Sequence, residues 1–218
     1  VQNALLSQGG SVTEASDVYR AEERMYGRVE EALRDFRKRW FDPMIKKTLE
    51  KGLTMDEVSL YAYAKHAKER NDHIAKIRND MPATGSGMTG QEADAILSQF
   101  NAEGKTSDLE DIHGDLMAIT ATTRRVMLEE DLITQEQYDA WEAQYEFFVP
   151  LRGFENATPD GEPVPFMRGG RGFNIRGKES MRALGRRTRA ANIVENIAMD
   201  YERAVSRGER NQVSKSFL

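Results

Sequence analysis

Cysteine is absent from all 218 residues of the chain. Disulfides, thiolate metal sites and a cysteine nucleophile are therefore excluded. Long apolar runs are absent as well, and no window approaches the ~18 apolar residues of a membrane-spanning helix. The hydrophobic share is 39% against 31% charged, more polar than an ordinary globular domain, which suits long helices with solvated faces. Alternation of the β type is missing over any useful length; residues 147–149 and 173–175 alone could pair as very short strands. No internal repeat is visible. The first residues, Val1-Gln-Asn-Ala-Leu-Leu6, carry neither a basic n-region nor an apolar h-region, so they do not read as a signal peptide. Together with a C-terminus lacking any obvious cap, they read as an internal piece of a larger polypeptide.

The motifs of common catalytic sites are also missing. Gly85-Ser-Gly87 and Gly169-Gly-Arg-Gly172 match neither the Walker loop nor a dinucleotide fingerprint, and no nucleophile elbow, His-Glu-x-x-His or EF-hand loop occurs. His66 and His73 lie seven apart, roughly 10 Å along one helix, too far for one metal ion to take both. His113 belongs to another helix. The three histidines therefore read as surface or capped residues. Acidic pairs such as Glu22/Glu23 and Glu129/Glu130 fall on polar helix faces, many with a base three or four residues away (Glu30/Arg34, Asp72/Lys76). No catalytic residue, cofactor site or metal site is expected.

What the chain does contain is helix punctuation. A Ser or Thr followed three residues later by Glu or Gln satisfies two orphan backbone N–H groups at a helix start. Such boxes stand at Ser11/Glu14, Thr54/Glu57, Thr89/Glu92, Ser107/Glu110 and Thr134/Gln137, each ahead of helical periodicity. The first stripe reads Val18, Met25, Val29, Leu33, Phe36, Trp40. Asp42-Pro43 should break or kink it, after which Ile45 and Leu49 continue to Gly52, a plausible C′ glycine. A second helix spans about 55–78 (Val58, Tyr61, Ala64, Ala67, Ile74, Ile77). A turn-rich loop follows at 81–88, then a short helix with Ala93, Ile96, Leu97 and Phe100. A long helix carries Leu109, Ile112, Leu116, Ile119, Val126 and Met127, and another carries Tyr138, Trp141 and Tyr145. Residues 150–180 hold four of the six prolines and are irregular, packed on the bundle. From about 181 helical spacing resumes through Leu184, Ile193, Ile197, Tyr201 and Val205. The expected fold is all-α, a bundle of about six helices in one structural domain, more than half helical. Trp40, Phe36, Leu116, Ile119, Trp141 and Tyr138 are expected in its core.

Charge is divided unevenly. Residues 1–150 hold 18 basic and 28 acidic residues, net −10, and residues 151–218 hold 13 and 8, net +5. The basic excess is concentrated at Arg168, Arg171, Arg176, Lys178, Arg182, Arg186, Arg187 and Arg189, interleaved with glycines and flanked by Phe166 and Phe173. This is the one constellation that points to an interaction surface. Arginines among glycines bind phosphate, with aromatic stacking on bases, or dock on carboxylates of the acidic helices. The −10 of the first 150 residues favours docking.

Two segments, Phe147-Phe-Val-Pro-Leu-Arg-Gly-Phe154 and Gly170-Arg-Gly-Phe-Asn-Ile-Arg-Gly-Lys-Glu-Ser-Met-Arg-Ala-Leu-Gly-Arg-Arg-Thr-Arg-Ala190, together with the helix Leu60-Tyr-Ala-Tyr-Ala-Lys-His-Ala-Lys-Glu-Arg-Asn71, resemble the large polyvalent protein-associated domains of very long phage and mobile-element proteins. The resemblance covers most of residues 12–205 and carries no catalytic motif. It implies a non-enzymatic module of an internal virion or ejection protein, delivered with the genome into the host. Its partners would be other segments of the parent chain or other virion proteins. Two alternatives stand beside it: an accessory domain flanking a polymerase, helicase or methyltransferase domain, and a nucleic-acid-binding helical module.

Overall fold

A computed structural model describes residues 18–80, 83–152, 185–186, 189–190 and 192–215. The Ser11/Glu14 box, Leu184 and residues 173–175 lie outside them. Of the described residues 78% are helical, and the protein is an all-α multi-helix bundle. The elements are α1 (Val18–Phe36), a π-helical turn (Arg37–Phe41), α2 (Asp42–Glu50), α3 (Met55–Ile77), α4 (Gly90–Ala102), α5 (Thr106–Glu129), α6 (Gln135–Gln144) and α7 (Ile193–Lys215). Because the π-turn joins α1 and α2 without interruption, the described chain traces six continuous helices. Residues 147–149 form no strand; pairing among the described residues is a single parallel bridge between Ser86 and Arg186.

Three of the boxes form as expected. Thr54, Thr89 and Thr134 each accept from the backbone N–H three residues on, at 3.1–3.2 Å, and the partner side chain returns a bond to the cap's own N–H. Ser107/Glu110 does not form: α5 begins at Thr106, two residues earlier than a Ser107 cap would start it, with Lys105 as an uncapped N-cap. Glu110 is engaged elsewhere, accepting from the Tyr61 hydroxyl at 2.6 Å and from Lys65 at 2.7 Å. Gly52 closes α2 with φ +68°, the left-handed conformation that glycine adopts without a steric penalty.

Asp42-Pro43 does not break the first helix. Pro43 has no N–H to donate, and the turn before it widens to π geometry, which takes up the mismatch within a continuous helix. The widening adds one residue to the turn and shifts the apolar stripe. The inward positions pass from Phe36 to Phe41, Met44 and Thr48, and Trp40 is left 39% exposed. Its expected place in the core is thereby corrected. Leu49 and Ile77, both placed on apolar stripes, are also exposed. Trp141 and Tyr138 are half-buried rather than core residues; Trp141 stands edge-on to Phe148, ring centroids 4.9 Å apart. Phe36, Leu116 and Ile119 are buried as expected.

Helix α7 is the common wall of the bundle, packing against α1, α3 and α5. It begins at Ile193, not near 181, and runs to Lys215. Asn192 sets this start: its side chain accepts from Val194 N–H at 3.0 Å and Glu195 N–H at 3.2 Å, an N-cap that the apolar spacing does not reveal. Phe36 of α1 stacks on Tyr201 of α7 with centroids 4.0 Å apart. At the other end, Asn211 donates to the Glu130 carbonyl at 2.8 Å, satisfying an orphan acceptor at the end of α5. Gly208 makes this approach feasible, since a Cβ there would stand 2.5 Å from the Glu130 Cγ.

The shifted stripe yields a prediction. Phe36→Ala should cost about 3–5 kcal/mol as a buried aromatic truncation, whereas Trp40→Ala should cost at most about 1 kcal/mol, the scale of a surface position. Urea denaturation of the two variants measures both; equal losses would place Trp40 back in the core.

Candidate docking site at the base of the basic segment

Of the eight basic candidates, Arg186 and Arg189 are described; Arg168, Arg171, Arg176, Lys178, Arg182 and Arg187, with Phe166 and Phe173, lie outside the described residues. Arg186 is 4% exposed. Its backbone N–H donates to the Gly85 carbonyl at 2.9 Å. Its guanidinium donates to the carbonyl of Leu151 at 2.9 Å and to that of Arg189 at 3.1 Å. The planar fork of arginine suits two acceptors fixed at different angles. Arg189 is exposed and reaches Glu92, in the first turn of α4, at 3.2 Å. Glu92 sits below the ordinary carboxylate range, first because it accepts from the Thr89 backbone and hydroxyl and then because of Arg189.

Beneath Arg186 lies a buried polar node. The Tyr63 hydroxyl donates to the Ser86 carbonyl at 2.8 Å and accepts from Ala190 N–H at 3.2 Å. Asn71 accepts from Ser86 N–H at 2.7 Å and donates to the Met88 carbonyl at 2.8 Å. Burial pushes the Tyr63 phenol up, and the charges of Arg186 and Arg189 partly offset this. The 85–88 loop is held so close to α3 that a Cβ on Gly85 would stand 2.3 Å from that of Ile74. Nothing in the hydropathy pattern announces this node; Asn71, a polar residue on the inward face of α3, is its one visible trace.

The chain enters the neighbouring segment at the same place. Arg152 reaches Asp200 of α7 at 2.5 Å, and its carbonyl accepts from Asn196 at 3.2 Å. Burial raises the Asp200 carboxyl, opposed by Arg152 and Arg203. Leu151 and Arg186 are thus hydrogen-bonded neighbours 35 residues apart in sequence, and both flanks of the segment between them are fastened to the bundle. The arrangement fastens both described ends of the segment to the bundle; among the described residues it brings together no nucleophile and base.

Two of the three histidines differ from their reading as surface or capped residues. His66 is 1% and His113 4% exposed. His66 meets the edges of Tyr145 and Phe148 with centroids 5.1 and 5.5 Å apart, and His113 packs against Tyr61 and Phe147. Burial, reinforced by Arg70, drives the His66 pKa down to about 3; burial, reinforced by Lys65, drives that of His113 down to about 4. The helices bring these rings under residues 145–148, whose backbone is held by Glu69. That carboxylate accepts from Glu146 and Phe147 N–H at 2.7 and 3.0 Å. Neither Glu30/Arg34 nor Asp72/Lys76 forms an ion pair among the described residues. Several lysines instead reach between helices, Lys47 to Asp111 and Asp115, Lys51 to Asp108, and Lys105 to Glu57, at 2.6–3.0 Å. An open cleft of about 360 Å³ between α3, α4 and α5 is lined by Tyr61, Lys65, Asp94 and Glu110. Its charges are already paired, Lys65 with Glu110 and Lys68 with Asp94. Among the described residues no group of three or more His, Asp or Glu could hold a metal ion, and no helix is long and apolar enough to cross a membrane.

The fold and this site define an all-α bundle that clamps the base of a basic, glycine-rich segment. Comparisons with protein-family models, curated proteins and solved structures gave no match.

The two buried histidines make stability depend on pH. Their folded pKa values lie below the unfolded value of about 6.5, so the unfolded chain binds protons first, and the stability held above that pH is lost as pH falls toward about 4 for His113 and about 3 for His66. Each should contribute a slope of about 1.4 kcal/mol per pH unit between about pH 6 and 5. His66→Gln and His113→Gln should each flatten the urea-derived profile by that amount, and an unchanged slope would mean that the ring is already charged or solvated in the folded state.

Proposed function

We propose that this chain is a non-enzymatic helical module of a large phage-type protein, packaged in the virion and delivered with the genome. The bundle serves to hold the basic segment onto the rest of the molecule. The observation that carries the docking part is the clamp at the segment's base, with Arg186 buried on the Leu151 and Arg189 carbonyls and Arg189 on Glu92. Supporting the phage part is the resemblance of residues 147–154, 170–190 and 60–71 to the large polyvalent protein-associated domains. The electrostatics agree with docking: the acidic −10 of residues 1–150 attracts the arginines of this segment.

Two measurements test the proposal. Replacing Arg186, Arg187 and Arg189 together with Ala should lower stability by about 2–4 kcal/mol, because buried acceptors lose a charged donor, and should leave duplex DNA binding weak at about 150 mM salt, where screening acts over roughly 8 Å. A melting temperature that stays put, combined with tight duplex binding lost in the triple variant, would make the basic stretch a nucleic-acid site. In particles that encode the chain, its peptides should be recovered by mass spectrometry from purified DNA-filled virions, protected from external protease until ejection is triggered. Detection only in infected-cell extract, never in particles, would remove the virion part and favour an accessory domain that acts after synthesis in the host.

A further inference from the structure

The π-helical turn at Arg37–Phe41 leaves a large aromatic ring partly exposed in a stretch rich in basic residues. Trp40 is 39% exposed. Its sequence neighbours Arg37, Lys38 and Arg39 are all exposed, and so is Arg34. Residues 34–41 hold four bases and one acid, Asp35. Arg39 meets Asp35 at 3.1 Å and Arg37 meets Asp42 at 3.6 Å, with the arginine side chains 72% and 71% exposed. Pairs so exposed exchange readily for another anion, since they are worth little in water. Arg34 and Lys38 make no ion pair among the described residues. The apolar side chains of this stretch are spent elsewhere: Phe36 is buried, and Phe41 is half-buried and stacked on it with centroids 5.9 Å apart.

From this we infer that the π-turn is a binding site for single-stranded nucleic acid, with a base stacking on Trp40 and phosphates held by Arg34, Arg37, Lys38 and Arg39. Sequence-tolerant single-strand binding combines cations that hold the backbone with aromatic rings on which bases stack. A membrane surface would require a continuous apolar face on the helix, and here that face is turned into the bundle, with Phe36 and Met44 buried. The inference rests on the fold alone and is independent of the role assigned to residues 168–189.

The test uses the full chain carrying Trp141→Phe, so that Trp40 is the one indole reporter, titrated with a 15-nucleotide oligo-dT at about 50 and 150 mM salt. Binding should quench Trp40, and its log K should fall with log salt by about 0.7 for each phosphate contacted on a single strand. Trp40→Ala should weaken binding about tenfold or more with the slope unchanged, and Trp40→Phe should keep most of it. Arg34→Gln, Arg37→Gln and Lys38→Gln together should reduce the slope by about two. Anisotropy of labelled oligo-dT on the chain with both tryptophans gives the same comparison if Trp141→Phe does not fold. Circular dichroism and urea midpoints confirm that each variant is folded. Three results overturn the inference. The first is no binding at 50 mM salt. The second is binding untouched by Trp40→Ala but abolished by Ala at 186, 187 and 189. The third is a blue shift of Trp40 with anionic lipid vesicles and no response to oligo-dT, which would make the patch a membrane contact.

Discussion

Everything else in this fold hangs on α7 being driven into the middle of the bundle. Ile193, Val194, Ile197, Tyr201 and Val205 are all buried in the main core, and the helices they meet come from the first 129 residues. Removing this apolar surface from water is the dominant favourable term. It also imposes a topological demand. Having run through α1 to α6, the chain must return to a groove shared by α1, α3 and α5, so the two ends of the stretch that joins α6 to α7 have to be secured.

The polar contacts around residues 150 and 190 answer that demand. Arg152–Asp200, Asn196 on the Arg152 carbonyl, Arg186 on the Leu151 carbonyl and Ala190 on Tyr63 secure those two ends, in part through charge-assisted bonds. Arg186 is part of this structural base although it belongs to the basic run that reads as an interaction surface. The charge split of the chain thus has a structural role at one end of the segment, where Arg189 meets Glu92 across 97 residues.

The π-turn shows a different logic. A proline that would end an α-helix is accommodated by widening the turn in front of it, and the cost is a one-residue phase shift. Downstream, Phe41, Met44 and Thr48 take the inward positions; Trp40 moves outward among arginines and a lysine. A local covalent constraint, the missing N–H of Pro43, therefore decides the surface chemistry of a site one turn away.

Local signals carried the helices. Thr54, Thr89 and Thr134 with their partners three residues on, the 3.6-residue spacing of Leu109, Ile112, Leu116 and Ile119, and Gly52 act within one turn of chain, so they are readable from neighbours alone, as was the all-α class. The absence of cysteine likewise settles its consequences without a structure. What only the tertiary structure decided depends on partners distant in sequence. Glu110 abandons a cap for Tyr61 and Lys65 because α3 lies against α5. His66 and His113 are buried because residues 145–148 fold over them. Trp40 leaves the core because the stripe slips at the π-turn, and α7 starts at Ile193 because Asn192 caps it where the clamp on Tyr63 and Leu151 ends. Periodicity records which face of a helix is apolar; it does not record which residues of another helix, dozens of positions away, will meet its polar ones.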